Sequence, residues 1–150
     1  MRTEHIAVSS ETAEGVLREL GRHAVERGYA TEGYVEALLS READFPTGLA
    51  VPTAPVDVAI PHADPEHVRE SAVVLALPET PVPFRDMDDP EGTVEAGVVM
   101  LLLADESDGY TTFLSNLANL FQNPGFADAV RADDHERILA LVEEECLSSP

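Results

Sequence analysis

Apolar residues recur at Ala13, Val16, Leu17, Leu20, Ala24 and Val25, a three-to-four-residue spacing that draws one face of a helix. Ser9-Ser10-Glu11-Thr12 stands just before it, with hydroxyls that can cap and an acid for the first turn. Gly28 is a suitable stop. A second helix opens at Thr31-Glu32-Gly33-Tyr34 and turns Val35, Leu38 and Leu39 inward. It must end near Phe45-Pro46, because a residue before proline avoids the helical region.

The pattern then changes. From residue 49 to residue 99, short β-branched runs alternate with proline and glycine, and the stretches 49–51, 56–60, 72–77 and 94–103 are predicted strands. The runs Val73-Val74-Leu75-Ala76-Leu77 and Val98-Val99-Met100-Leu101-Leu102-Leu103 are almost wholly apolar, as strands covered on both faces are. Pro52 and Pro55 mark an irregular or edge segment before the Val56 run, and residues 86–92 an acidic turn. Helical spacing returns with Phe113, Leu114, Leu117, Leu120 and Phe121, closed by Asn123-Pro124. A short helix over residues 126–131 and a last one capped by Asp133-Asp134 follow, the latter with Ile138, Leu139, Leu141 and Val142 inward. The order helices, strands, helices, without linker or repeat, predicts a single-domain α/β sandwich: a central mixed β-sheet flanked by helices on both faces.

Composition changes the picture mainly through charge. Asp and Glu number 29 against 9 Lys plus Arg, a net charge of −20, and every one of those basic residues is arginine. Such a surface repels nucleic acid and anionic membrane, so neither is an expected partner. The acids are spread along the chain, which favours adaptation to a salt-rich, halophilic cytoplasm over a patch for one basic partner. Removing salt should then cost structure; circular dichroism unchanged from molar to millimolar KCl would sink that reading. The longest apolar run, residues 98–104, is far below the ~18 residues that span a bilayer. The N-terminus shows no apolar signal segment, and the expectation is a cytoplasmic protein without direct membrane insertion. The single cysteine, Cys146, reads as a packing residue.

No Gly-rich phosphate loop, CxxC, HExxH or GxSxG occurs, which leaves the histidines. His5, His23, His67 and His135 sit in polar or amphipathic contexts and read as surface residues. His62 differs. It follows the buried-looking Val58-Ala59-Ile60 and a proline that fixes the backbone before it. Strand ends in open α/β sheets are where ligand sites collect, and imidazole is a competent nucleophile near neutral pH. Local physics alone nonetheless ranks a capping or core histidine first. A second constellation is Arg41-Glu42-Ala43-Asp44-Phe45-Pro46-Thr47-Gly48, a helix end running into a turn. Arginine forks onto phosphoryl oxygens, Thr47 has a hydroxyl to offer, and Gly48 permits close backbone approach. A plain helix end, with Arg41 against a neighbouring acid and Gly48 turning the chain, accounts for the same residues.

Together, Arg41-Glu42, Thr47-Gly48 and Val58-Ala59-Ile60-Pro61-His62 resemble the enzyme IIA component of the sugar phosphotransferase system, in its fructose–mannitol superfamily. The resemblance extends through Pro83-Phe84 and the helix over residues 114–122, and implies one EIIA type 2 domain over residues 1–150. The stretch from Glu42 to Gly48 looks most like galactitol-type IIA proteins. The resemblance implies that His62 accepts a phosphoryl group from the histidine carrier HPr and passes it to a cysteine of a separate IIB protein, which serves a membrane IIC permease. It implies that Arg41 supports the phosphoryl charge, that Thr47 lines the same pocket, and that neither metal nor cofactor takes part. Many family members carry a second histidine where Tyr110 stands here; Tyr110 can donate a hydrogen bond to a phosphoryl oxygen or merely pack. A nitrogen-type regulatory IIA, signalling through protein contacts, is the alternative function.

Overall fold

The computed structural model describes residues 2–104 and 107–147, without the side chains of residues 107–110 and 147. Strands are β1 (Arg2–Ile6), β2 (Gly48–Leu49), β3 (Asp57–Ala59), β4 (Ala72–Ala76), β5 (Val82–Arg85) and β6 (Thr93–Leu103). Helices are α1 (Ala13–Glu26), α2 (Tyr34–Asp44), α3 (Ser107–Leu120), α4 (Pro124–Arg131) and α5 (His135–Val142).

The strands form one mixed sheet in the order β1-β4-β6-β3-β2, with β5 also paired to β6. β1 runs parallel to β4, β3 parallel to β6, and the other pairings are antiparallel. Residue alternation divides the core in two. Val74, Ala76, Val99, Leu101 and Leu103 face α1 and α2 with Leu17, Leu20 and Leu38. Val73, Leu75, Val98, Met100 and Leu102 face α3, α4 and α5 with Phe113, Leu117, Phe126 and Ile138. Both faces of β4, and of β6 from Val98 onward, are thus buried, each large side chain contributing about 1.5–3 kcal/mol. The expected α/β sandwich, a mixed sheet with helices on both faces, is what the chain adopts.

The helix signals act as the sequence predicts. Thr12 Oγ1 accepts from Gly15 N at 3.1 Å to start α1, and Gly28 leaves it with φ +80°, open to a residue without Cβ. Asn123 and Asp134 side chains accept from Gly125 N and Arg137 N to start α4 and α5. A π-helical turn over Glu143–Leu147 continues the last helix. It buries Cys146, whose thiol desolvation pushes up to about 11, so this cysteine packs rather than reacts.

The sequence reading omitted two strands. β1 comes before every helix and corrects the order helices, strands, helices. Its residues are Arg2, Thr3, Glu4, His5 and Ile6, and it pairs at the sheet edge with β4, which is distant in sequence. Its charges find lateral partners: Arg2 with Glu70 at 2.9 Å, and Glu4 with His23 and Arg27. β5 buries Val82 and Phe84 and exposes Pro83 and Arg85, a short alternation that its proline disguises.

Candidate functional site

The site lies beyond the carboxyl end of β3. Ile60 N donates to Thr47 O at 3.1 Å, prolonging the two-residue β2–β3 ladder. On the other side Leu102 N donates to Pro61 O at 3.0 Å, so His62 runs beside the end of β6. Pro61 fixes its own φ and has no N–H to satisfy. The sequence therefore delivers His62 from a strand that is held on both flanks.

His62 is half-buried, and its Nδ1 lies 3.0 Å from the Ile60 carbonyl oxygen. A carbonyl can only accept, so Nδ1 carries the proton and Nε2 keeps its lone pair. Burial lowers the ring below its ordinary 6.5; the Ile60 bond opposes this, Arg41 lowers it further, and Asp64 raises it. The imidazole is accordingly neutral and nucleophilic at neutral pH. A depressed histidine contributes stability above its unfolded value and loses it as pH falls through the folded one. Proton NMR should place the His62 midpoint below 6.5; a midpoint at or above that value would contradict the burial argument.

Arg41, in the last turn of α2, holds its guanidinium 4.4 Å from the centre of the Phe45 ring and 3.7 Å from Asp64. Its buried Nε has no hydrogen-bond partner among the described residues. The Phe45 ring is 59% exposed, so the guanidinium is stacked and unsaturated rather than locked away.

Thr47 is only 3% exposed, and both of its donors go to one residue. Its N–H reaches Glu42 Oε1 at 3.0 Å and its hydroxyl donates to Glu42 Oε2 at 2.7 Å. The hydroxyl that the sequence offered to phosphate is therefore committed to Glu42. Gly48 does permit a close backbone approach. The close approach it permits is to β5: a Cβ there would stand 2.5 Å from the Arg85 carbonyl oxygen and 2.8 Å from Val94 Cγ2. Arg85 in turn donates to Ala43 O at 2.8 Å, covering the end of α2. Tyr110 belongs to the start of α3, and its side chain lies outside the described residues.

From the sequence, Glu42 is only one of the neighbouring acids available to Arg41; in the structure Arg41 meets Asp64 and Glu42 meets Thr47. The available signal for Glu42 was its place: an acid in the last helical turn opposes the helix dipole, so a specific partner is to be expected there. Asp64 went unused for the same reason, lacking a visible link to Arg41. His5 stacks on His135 at 4.0 Å, His23 meets Glu4 and His67 meets Glu66, each with a partner of its own.

A neutral histidine whose Nδ1 is held by a backbone carbonyl, beside an arginine at the end of a strand in this sheet, suits a protein that carries a phosphoryl group. The family described as "Phosphoenolpyruvate-dependent sugar phosphotransferase system, EIIA 2" matches residues 1–145, and the chain belongs to it. It is an enzyme IIA component, a phosphotransfer protein of the fructose–mannitol type. The galactitol-specific EIIA component of Escherichia coli K12 is 29% identical over 115 residues, 77% of this chain and 75% of that one. Among solved structures, the complex of enzyme IIA mannitol with phosphorylated IIB mannitol from Escherichia coli matches with a TM-score of 0.70 at 22% identity, covering 94% of each chain. The nitrogen regulatory protein IIA-Ntr from Neisseria meningitidis matches with a TM-score of 0.67 at 21% identity, over 93% of this chain and 92% of that one. No helix among the described residues is long and apolar enough to cross a membrane.

Proposed function

We propose that His62 Nε2 accepts a phosphoryl group from the histidine carrier HPr and passes it to a cysteine of a separate IIB protein, serving a IIC permease during uptake of a galactitol- or fructose-like sugar. The observation that carries this reading is the Nδ1–Ile60 hydrogen bond, which fixes the proton on one nitrogen and the lone pair on the other. In the first step the Nε2 lone pair forms a bond to phosphorus while the donor's N–P bond breaks, its electron pair returning to the donor ring. In the second, a cysteine thiolate forms an S–P bond and the Nε2–P bond breaks. The proton on Nδ1 stays in place throughout, so the departing imidazole leaves neutral, which keeps the phosphoryl group transferable.

Arg41 serves both steps. Its unsaturated guanidinium meets phosphoryl oxygens, and its stacking on Phe45 limits the reorganisation required. Thr47 acts behind the histidine, through the backbone. The galactitol-specific relative supports a transport role. The test is incubation with phosphoenolpyruvate, enzyme I and HPr, followed by addition of IIB. Label should appear on this chain and then move to the IIB cysteine. Label that is accepted but passed to no IIB would favour a nitrogen-type regulatory role, and no label at all would end the proposal.

A further inference from the structure

We propose that Glu42 is a positioning residue for phosphoryl transfer: by taking both donors of Thr47, its carboxylate anchors the strand segment that orients the His62 ring. The inference deepens the proposal that His62 is the phosphoryl acceptor and rests on it.

The connection is a continuous run of hydrogen bonds. Glu42 Oε1 and Oε2 accept from Thr47 N and Oγ1 at 3.0 and 2.7 Å. Thr47 O accepts from Ile60 N at 3.1 Å, and Ile60 O accepts from His62 Nδ1 at 3.0 Å. Every link involves a backbone group, so a displacement of Thr47 moves the carbonyl that holds the histidine tautomer.

The two flanks of this segment are unequally secured. On one side Pro61 leans on β6, an eleven-residue strand paired with three others. On the other it leans on β2, which has only two residues. Such a ladder is too short to hold its own place. The Thr47–Glu42 clasp joins that weak flank to the end of α2, the helix that also carries Arg41. Histidine and arginine are thereby referred to one helix end, and their relative placement depends on Glu42.

The chemistry of the clasp selects a carboxylate. Two donors from one residue converge, and a carboxylate meets them with two acceptor oxygens. Glutamine has one acceptor and would set its own N–H groups against one of Thr47's donors. Stability alone disfavours the charge. The carboxyl is largely desolvated, which raises its pKa above the ordinary 4.5 against the opposing pull of Thr47 and Arg85. It also stands at the unfavourable end of a helix dipole. Beside it lies a mainly apolar cavity of about 290 Å³, lined in part by Leu17, Leu39 and Pro83, with Glu42 itself on the wall. A raised acid favours the folded state when protonated, so ionising Glu42 costs stability as pH rises through its folded pKa. A residue serving only the fold would do better neutral.

The experiment compares the wild type with Glu42→Gln and Glu42→Ala. Nitrogen-15 NMR on the unphosphorylated protein reads the His62 tautomer, and rapid quench with phospho-HPr reads transfer. In the wild type, Nδ1 should be protonated and Nε2 bare. In Glu42→Ala the two tautomers should mix, and the first-order transfer rate should fall on the order of tenfold or more at unchanged KM for phospho-HPr. Glu42→Gln should fall between, with a melting temperature no lower than wild type. A wild-type tautomer and rate in both variants would overturn the proposal. So would a loss confined to KM, or one that tracks the unfolded fraction. Should Glu42→Ala fail to fold, Glu42→Gln decides by the same readings. If the wild type takes no phosphate at His62, the functional reading fails, while the tautomer still judges the clasp.

Discussion

His62→Ala is expected to abolish phosphoryl acceptance, leaving a folded protein with no acid-labile phosphate after incubation with phosphoenolpyruvate, enzyme I and HPr. The expected loss is complete because nothing nearby can substitute. A phosphoryl acceptor must present a lone pair on a neutral nitrogen at the place where the donor docks. Among the described histidines, only His62 has one ring nitrogen bound to a backbone carbonyl. His5 faces His135, His23 faces Glu4, and His67 faces Glu66. The Cys146 thiol is buried and protonated. The fold should survive, because residues 60–62 are held by backbone bonds to Thr47 and Leu102 that an alanine leaves in place. Losing a half-buried ring costs on the order of 1–2 kcal/mol, well inside the stability of an ordinary domain. Mass spectrometry that finds phosphate on His62→Ala, or a circular dichroism spectrum showing collapse, would defeat this account.

Arg41→Ala should slow transfer to IIB about a hundredfold while the sheet and helices persist. The magnitude follows from comparable sites, where removing one preorganised donor to a developing anion costs ~10²–10³ in rate. The stability cost is small by a separate argument. The pair with Asp64 is long, at 3.7 Å, and more than a third exposed on each side, so it is worth no more than about 1 kcal/mol. Stacking on the exposed Phe45 ring adds about 0.5–1 kcal/mol. A second reading checks the assignment. Arg41 lowers the His62 pKa, so its removal should move the His62 titration upward, toward the ordinary 6.5. Arg41→Lys should restore the titration better than the rate, because a lysine returns the charge without the fork. Equal transfer rates in wild type and Arg41→Ala, measured by rapid quench, would remove Arg41 from the site.

What the sequence reveals depends on where each residue finds its partner. α1 was legible because Thr12 and Gly28 act within their own turns. β4 and β6 were legible because burial on both faces leaves an unbroken apolar run. His62 stood out through its strand, its proline and the family pattern around it. Arg41 could be joined to it only by resemblance, since the approach of α2 to β3 is tertiary. The partner of Thr47 is not legible, because a hydroxyl in a turn does not announce which acceptor it will meet, and here it donates to Glu42. Gly48 signalled a close backbone approach, but that the approaching backbone would be β5 is tertiary information. β5 itself shows only two inward residues and a proline, and β1 has pairing that depends on a strand far along the chain.

β1 has a further consequence, for solubility. One of its sides is bonded to β4 and the other lies at the open end of the sheet, where an extended segment from another molecule could add and seed aggregation. Arg2 and Glu4 oppose that. They place ionic side chains on the edge strand, engaged with Glu70, His23 and Arg27, and charges on an edge disfavour the docking of an apolar strand. The polarity that conceals β1 from a search for apolar runs is the kind that guards an edge strand against intermolecular pairing.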